Sequence, residues 1–486
     1  MLGTLIKKEI LEAILSLRFL LATVLCLILI PVGMYVNVRD YQRRLTDYEE
    51  AVRLYEGRSR GTIQESFQAE GFRPPSVLSI FSVGLEYILP NKIVTSRTGA
   101  FQTSNELGID NPQSMLFGKV DLVFNVSVVL SLLAFILTFN SVAGEKEDGT
   151  LKLIMSNAVP RWRLLVSKIV GNYIVLLVPF LTSMIIALIG LSTAGVVPLF
   201  SANIALPLVV ILFVTLIFIL SIFNLGIFVS TLTHRSLTSI VALLFVWTLI
   251  VLSLPKISPM IAEIIHPVKS QQVMNIQRSI FRESLEKKRN QELRELYGIL
   301  ASNLGLNPNR VFTQGNSDEE RMLLQAFDSS RNMVEQKYEG EINQGLRKMD
   351  EDYENSQSVQ VSIGMNLSRL SPVSSYAYIV SDICATGAME VGKFRENARR
   401  FQDQVKESLY DKFIIKSYTS ESGSATSTSY APGFDPRNIR APQLEYRHTS
   451  MAEALGREWV DILLLFLFNI VFFIFSYAAF LRYDVR

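Results

Sequence analysis

The chain has 486 residues, 49% hydrophobic and only 19% charged, with a net charge of +2. Its apolar residues are gathered into blocks long enough to cross a bilayer, roughly 20 residues each, which excludes an ordinary soluble enzyme. Basic residues are spread along the chain, which argues against a nucleic-acid partner, and two cysteines, Cys26 and Cys384, cannot build a disulfide framework.

The first 18 residues place Leu2, Ile6, Ile10, Ala13 and Leu17 on one helical face, so an interfacial amphipathic helix is predicted. It feeds an uncharged run from Phe19 to Val38. Glu9 and Glu12 and the lack of a small-residue cleavage site argue for an uncleaved span over a signal peptide. Further spans are predicted at Leu122 to Gly144, Ile169 to Leu191, Ile204 to Leu232, Ser236 to Pro255 and Ile462 to Leu481. The third and fourth are separated by "STAGVVPLFSAN", whose Gly, Pro and Ser break the run.

Six spans put both termini on one side of the membrane. Lys7, Lys8, Arg18, Lys146, Lys152, Arg161, Arg163, Lys168, Arg235, Arg482 and Arg486 all fall there, so the positive-inside rule assigns that side to the cytoplasm. Lys168 is expected to snorkel to the headgroups, and Asp121 and Asp461, at the outer span ends, are expected as solvated caps. The expected organisation is an amphipathic helix and span 1 over residues 1–38, an outer segment 39–119, and spans 2–5 over 120–255. A second outer segment, 256–459, and span 6 with a short tail, 460–486, complete it.

The outer segments are expected to form a mainly helical extracytoplasmic domain. Val334, Tyr338, Ile342, Leu346, Met349 and Tyr353 make one helical stripe, and Phe394, Ala398, Phe401, Val405 and Leu409 another. A third stripe over 273–300 runs into "NLGLNPN", a turn signal, which suggests helical hairpins. The Ser/Thr-rich tract from Ser417 to Asn438 reads as an exposed loop.

Chemistry-bearing motifs are missing. No G-x-x-x-x-G-K-[ST] phosphate loop, dinucleotide fingerprint, H-E-x-x-H helix, G-x-S-x-G elbow or zinc-spaced Cys/His cluster occurs, so no catalytic site or cofactor of the chain's own is expected. What stands out is a compact charged break between spans 2 and 3, "GEKEDGTLKLIMSNAVPRWRLLVSK". Leu151, Ile154 and Met155 suggest a short amphipathic helix, Gly149 a sharp redirection of the backbone, and Pro160 a turn back to the membrane. Read from the residues alone it is a solvated, positively anchored loop.

That segment resembles the one after the second span of type 2 ABC transporter permeases, in which an acidic pair, Gly-Thr-Leu and a Ser-x-x-x-x-Arg run recur. "RPPSVLSIFSVGLE" from Arg73 and "SRLSPVSSYAYIVSDICATG" from Ser368 are similar to one branch of the same family. The resemblance implies an all-α polytopic fold and a coupling segment, 144–165, that meets a separate cytoplasmic ABC ATPase. Glu145, Glu147, Gly149, Thr150, Leu151 and Arg161 would carry that contact. ATP and Mg would be held by the ATPase, and the membrane chain would work as a homodimer or a heterodimer with a related permease in the plasma membrane. Asn125, Asn172, Asn224 and Asn469 lie in or near spans as pathway or helix-contact residues, interhelical hydrogen bonding being the default. An exporter subunit is the leading expectation. An ATP-powered scaffold that moves an envelope partner through the outer domain is the other.

Overall fold

A computed structural model describes residues 2–59, 68–95, 101–104, 119–156, 160–193, 195, 198, 201–307, 317–409, 413–420, 423–430 and 442–482. Among these, six helices are long and apolar enough to cross a membrane: Leu17–Arg58, Leu122–Glu147, Arg161–Thr193, Ala202–Leu232, Ser236–Ile265 and Met451–Arg482. We number them spans 1 to 6. The N-terminal helix Leu2–Ile14 lies against span 3, and Arg161 at the start of span 3 reaches the last turn of span 6, so both ends of the described chain meet at one end of the bundle. We call this the terminal end, and the opposite one the distal end.

Spans 1, 5 and 6 are longer than the apolar runs that nucleate them. Span 1 continues without a break from Leu17 to Ser59, about 65 Å at 1.5 Å per residue, against about 30 Å of hydrocarbon. Its second half is amphipathic and covers the distal lobe with Tyr41, Tyr48 and Tyr55. Span 5 does not stop at Pro255. A π-helical turn, Thr248–Ser253, precedes the helix Leu254–Ile265, and Pro255 sits in that helix's first turn, where an N–H is dispensable. A second π-helical turn, Asn125–Leu130, lies in span 2, and the two spans meet where Trp247 Nε1 donates to Ser131 Oγ at 2.9 Å.

The main core is the bundle itself. Leu130, Ala134, Phe180, Phe218, Phe223 and Leu465 pack there, and a 12-residue helix, Pro372–Ile383, enters it from the distal end. This wedge helix is too short to cross. Its Tyr376 is fully buried, stacks on Phe218 with ring centroids 4.6 Å apart and meets Thr215 Oγ1 at 3.1 Å.

Residues before span 2 and after span 5 share the distal lobe. Strands β1 (Ala69–Phe72), β2 (Lys92–Thr95) and β3 (Phe101–Ser104) form an antiparallel sheet in that order, with Ala69 opposite Thr95 and Lys92 opposite Ser104. Phe394, Ala398, Phe401 and Val405 of the helix Ala388–Ser408, with Leu409 at its C-cap, pack on Phe72 and Ile93 of this sheet and on Tyr55. The two segments singled out by resemblance are joined directly. Ser76 Oγ donates to the Cys384 carbonyl at 2.7 Å, the Leu85 N–H to Thr386 O at 2.7 Å, and Thr386 Oγ1 to Ser82 O at 3.0 Å.

From the distal end a long antiparallel helical hairpin extends, Gln271–Asn303 with Asp318–Ser368. Leu285, Phe281, Val334, Tyr338, Ile342 and Leu346 close it, so the second helix uses the apolar stripe read from the sequence. The Ser/Thr-rich tract differs from the loop expected of it. Two strands, β4 (Phe413–Ser420) and β5 (Gly423–Tyr430), pair antiparallel over the first part of that tract, where residue types such as Thr and Tyr suit a pleated ribbon. Residues 431–438 of that expected loop lie outside the described residues.

Candidate functional site

At the terminal end, span 2 gives way to two short helices, Ala143–Glu147 and Thr150–Ser156. Between them Gly149 has φ +72°, a left-handed conformation that costs any residue with a Cβ about 1–2 kcal/mol. That is the redirection expected from the sequence. Ser230 Oγ, in span 4, accepts from the Val142 and Ala143 N–H groups, both at 3.1 Å, and donates to Phe139 O at 2.9 Å. Lys146 Nζ donates to Thr231 O and Thr233 O, carbonyls that the end of span 4 leaves without helical partners.

Glu147 ties the same pair to span 5, its Oε2 accepting from the Ser236 N–H at 2.8 Å. Leu151 is fully buried among Val142, Leu164, Leu165, Ile169, Ile227 and Phe480, and so pins the second helix under the bundle. Burying such a side chain contributes about 2 kcal/mol. Thr150 is exposed, as are Asp148, Lys152 and Leu153, the last at 69%. Arg161 is half-buried and donates to Phe480 O and Leu481 O at 3.0 and 2.7 Å, closing the last turn of span 6.

Glu145 points inward. Its Oε1 lies 2.7 Å from Lys168 Nζ, and Lys168 also donates to Glu9 Oε1 of the N-terminal helix at 3.1 Å. Lys8 stands 3.8 Å from the same Glu145 oxygen. Lys168 is 2% exposed. The expected snorkelling to headgroups is therefore wrong: the N-terminal helix covers span 3 at this point, and the buried ammonium is compensated by two carboxylates. Close approach makes the pairing possible. A Cβ on Gly171, one turn along from Lys168, would stand 2.7 Å from Glu9 Cβ.

The asparagines divide. Asn224 Nδ2 donates to Asn469 Oδ1 at 3.0 Å, and Asn469 Nδ2 donates to Ile217 O at 3.1 Å, which joins spans 4 and 6. Asn172 donates to Ser141 Oγ at 3.1 Å, between spans 3 and 2. Asn125 lies apart from these, in the π-helical turn, and lines a small cavity with Ile30, Met34, Asn37, Ile80 and Leu122.

The two aspartates at the distal span ends are not solvated caps. Asp121 is buried and accepts from the Phe124 N–H at 2.8 Å and the Val83 N–H at 2.9 Å, capping span 2 while holding the 73–86 segment. Asp461 is fully buried and takes both arms of Arg369, at 2.6 to 3.1 Å. In each case the distal lobe closes over a span end that sequence alone leaves open to water.

A scan against protein-family models matches residues 4–485 to the ABC-2 family transporter protein model. The chain belongs to the ABC-2 transporter family. No curated protein matches it. ABC-2 proteins are membrane components of ABC transporters, and the family typically works with an ATPase subunit. The matched range takes in the residues of the distal lobe as well as those of the spans.

Sequence reasoning missed Glu9, Asp382, Glu390 and Glu458. The signal for Glu9 was present: it stands three residues after Ile6 and four before Ala13, on the apolar face of its helix.

Proposed function

We propose that this chain is the membrane-spanning permease subunit of an ATP-binding-cassette exporter, energised by a separate cytoplasmic ATPase that binds ATP and Mg. One observation carries the reading. The helix pair after span 2 exposes Asp148, Thr150, Lys152 and Leu153, while Leu151 anchors it and Glu147, Lys146 and Glu145 tie it to spans 5, 4 and 3. A push on such a surface reaches three spans and the N-terminal helix at once.

On this reading the terminal end faces the cytoplasm of a bacterial plasma membrane. Two copies, or this chain and a related permease, stand over a pair of ATPases. Closure of the ATPases presses the helix pair, tilts spans 2 and 3 and opens a path between protomers, a rigid-body transition between two states. The roles within the segment divide accordingly. Thr150 and Leu153 touch the ATPase, Gly149 sets the angle of the second helix, and Glu145, Glu147, Leu151 and Arg161 transmit.

Replacing Leu153 by Asp, or Gly149 by Val, is expected to leave membrane insertion intact and to abolish both co-purification of the ATPase and ATP-driven efflux. Full efflux with full ATPase stimulation in both variants would sink the assignment.

The second reading is an ATP-powered machine that moves an envelope partner without solute transport. The hairpin favours it, since a helix of 51 residues is about 76 Å long and a transport path has no need of that reach. Shortening the hairpin separates the two: the exporter keeps efflux, and the mechanical device loses its output while ATP hydrolysis continues.

A further inference from the structure

At the distal end three carboxylates from two elements are packed together. Glu458 and Asp461 lie one turn apart on the extension of span 6, and Asp382 ends the wedge helix. Glu458 and Asp461 are fully buried and Asp382 is 2% exposed. Two of the three have partners that suit an anion. Asp461 is held by the guanidinium of Arg369, and Asp382 Oδ1 accepts from the Met389 N–H at 3.3 Å, in the first turn of the helix Ala388–Ser408.

Glu458 has none. Neither of its oxygens receives a hydrogen bond, and its neighbours are Asp382 and Asp461, which accept and do not donate when ionised. Two cations face it: Arg457, at 4.0 Å and half exposed, so water screens it, and Arg369, whose guanidinium is committed to Asp461. The other groups facing the cluster are Tyr378, bonded to Ser368, and Glu390, bonded to His448. Among the described residues no group of His, Cys, Asp and Glu is arranged to hold a metal ion. A third bare anion here would be a buried, unpaired charge, costing several kcal/mol, whereas one proton turns Glu458 into a donor.

We propose that Glu458 is a proton-binding site, its acid O–H donating to the Asp382 carboxylate and so bridging span 6 to the wedge helix. Release of that proton leaves three anions facing one another and loosens the wedge helix from span 6. Because the wedge also carries Tyr376 against span 4, the packing of the distal end becomes sensitive to the pH on that side.

The sign follows from linkage. The proton is held by the folded chain and released by the unfolded one above the ordinary carboxylate range, so stability falls as pH rises through and beyond that range until the folded site itself deprotonates. Infrared titration of the purified full-length chain in lipid nanodiscs tests this. Wild type is expected to show an acid carbonyl band at neutral pH that disappears at alkaline pH, and Glu458→Gln is expected to lack it. Thermal unfolding of Glu458→Gln should lose that decline. A Glu458→Gln spectrum identical to wild type would overturn the proposal. Asp382→Asn provides a second arm: with the neighbouring anion gone, the midpoint for loss of the band should fall by about one pH unit or more, and an unmoved midpoint would refute the Asp382 bridge.

Discussion

Lys168 and Glu390 illustrate how single charges are accommodated in this chain. Removing only the cation from the Glu9–Lys168–Glu145 triad leaves the buried Glu9 and half-buried Glu145 carboxylates without it. Lys168→Met is expected to cost about 3–5 kcal/mol, read as a fall in melting temperature, and adding Glu9→Gln and Glu145→Gln should restore most of it. Glu390 is the converse case, an anion with a full set of donors. Burial pushes its carboxyl up, but His448, with Thr449 Oγ1 at 2.7 Å and the Thr449 N–H at 3.1 Å, outweighs burial and holds it below the usual range. A lowered folded-state value means stability that is present above the ordinary glutamate range and lost as pH falls through the folded one. Wild type should therefore lose stability on the acid side, and Glu390→Gln, already short by about 3 kcal/mol, should lose less there. Calorimetry over acid pH distinguishes the two.

At the scale of elements, helix ends and close approaches decide more than helix interiors. The N-terminal helix is held to span 3 at Gly171, where any larger residue meets Glu9. Gly171→Leu is expected to displace that helix and break the Lys168 pair, seen as faster proteolysis within residues 2–14, with the six spans still inserted. The interiors of the spans were legible in the sequence because an uncharged run of bilayer length has few alternatives to a membrane helix. Their ends were not. Span 1 runs past Val38 because its second half is amphipathic and packs on the distal lobe, a partner made from residues far along the chain. Span 5 runs past Pro255 because a π-helical turn precedes the proline. The hairpin β4–β5 was unreadable for a related reason: its pairing is local, but its composition is that of a loop.

Across the whole molecule, the membrane bundle and the hairpin have separate cores. Leu285, Tyr338 and Ile342 form one small cluster and Ala301 and Leu323 another, neither shared with the spans. Excising residues 279–349 and joining Arg278 to Asp350, whose side chains stand 2.5 Å apart, by a short Gly-Ser turn is expected to leave the melting of the bundle unchanged. A large fall in melting temperature would mean that the hairpin braces the spans. The distal lobe is expected to behave in the opposite way. It is stitched to the bundle by Asp121, Arg369–Asp461 and the wedge helix, so cutting it away should unfold spans 2 and 6 at their distal ends.

The sequence by itself determined the six spans, the end of the bundle at which the charged break lies and the family pattern within that break, because hydropathy and short motifs are local properties. Only the tertiary structure decided which charges face inward. Glu145, Lys168, Asp121 and Asp461 each sit beside an apolar run, where water and a distant partner are equally compatible with the local pattern. It took the N-terminal helix folding back onto span 3, and the distal lobe closing over the span ends, to turn expected surface charges into inward-facing ion pairs and, at Asp121, a buried cap.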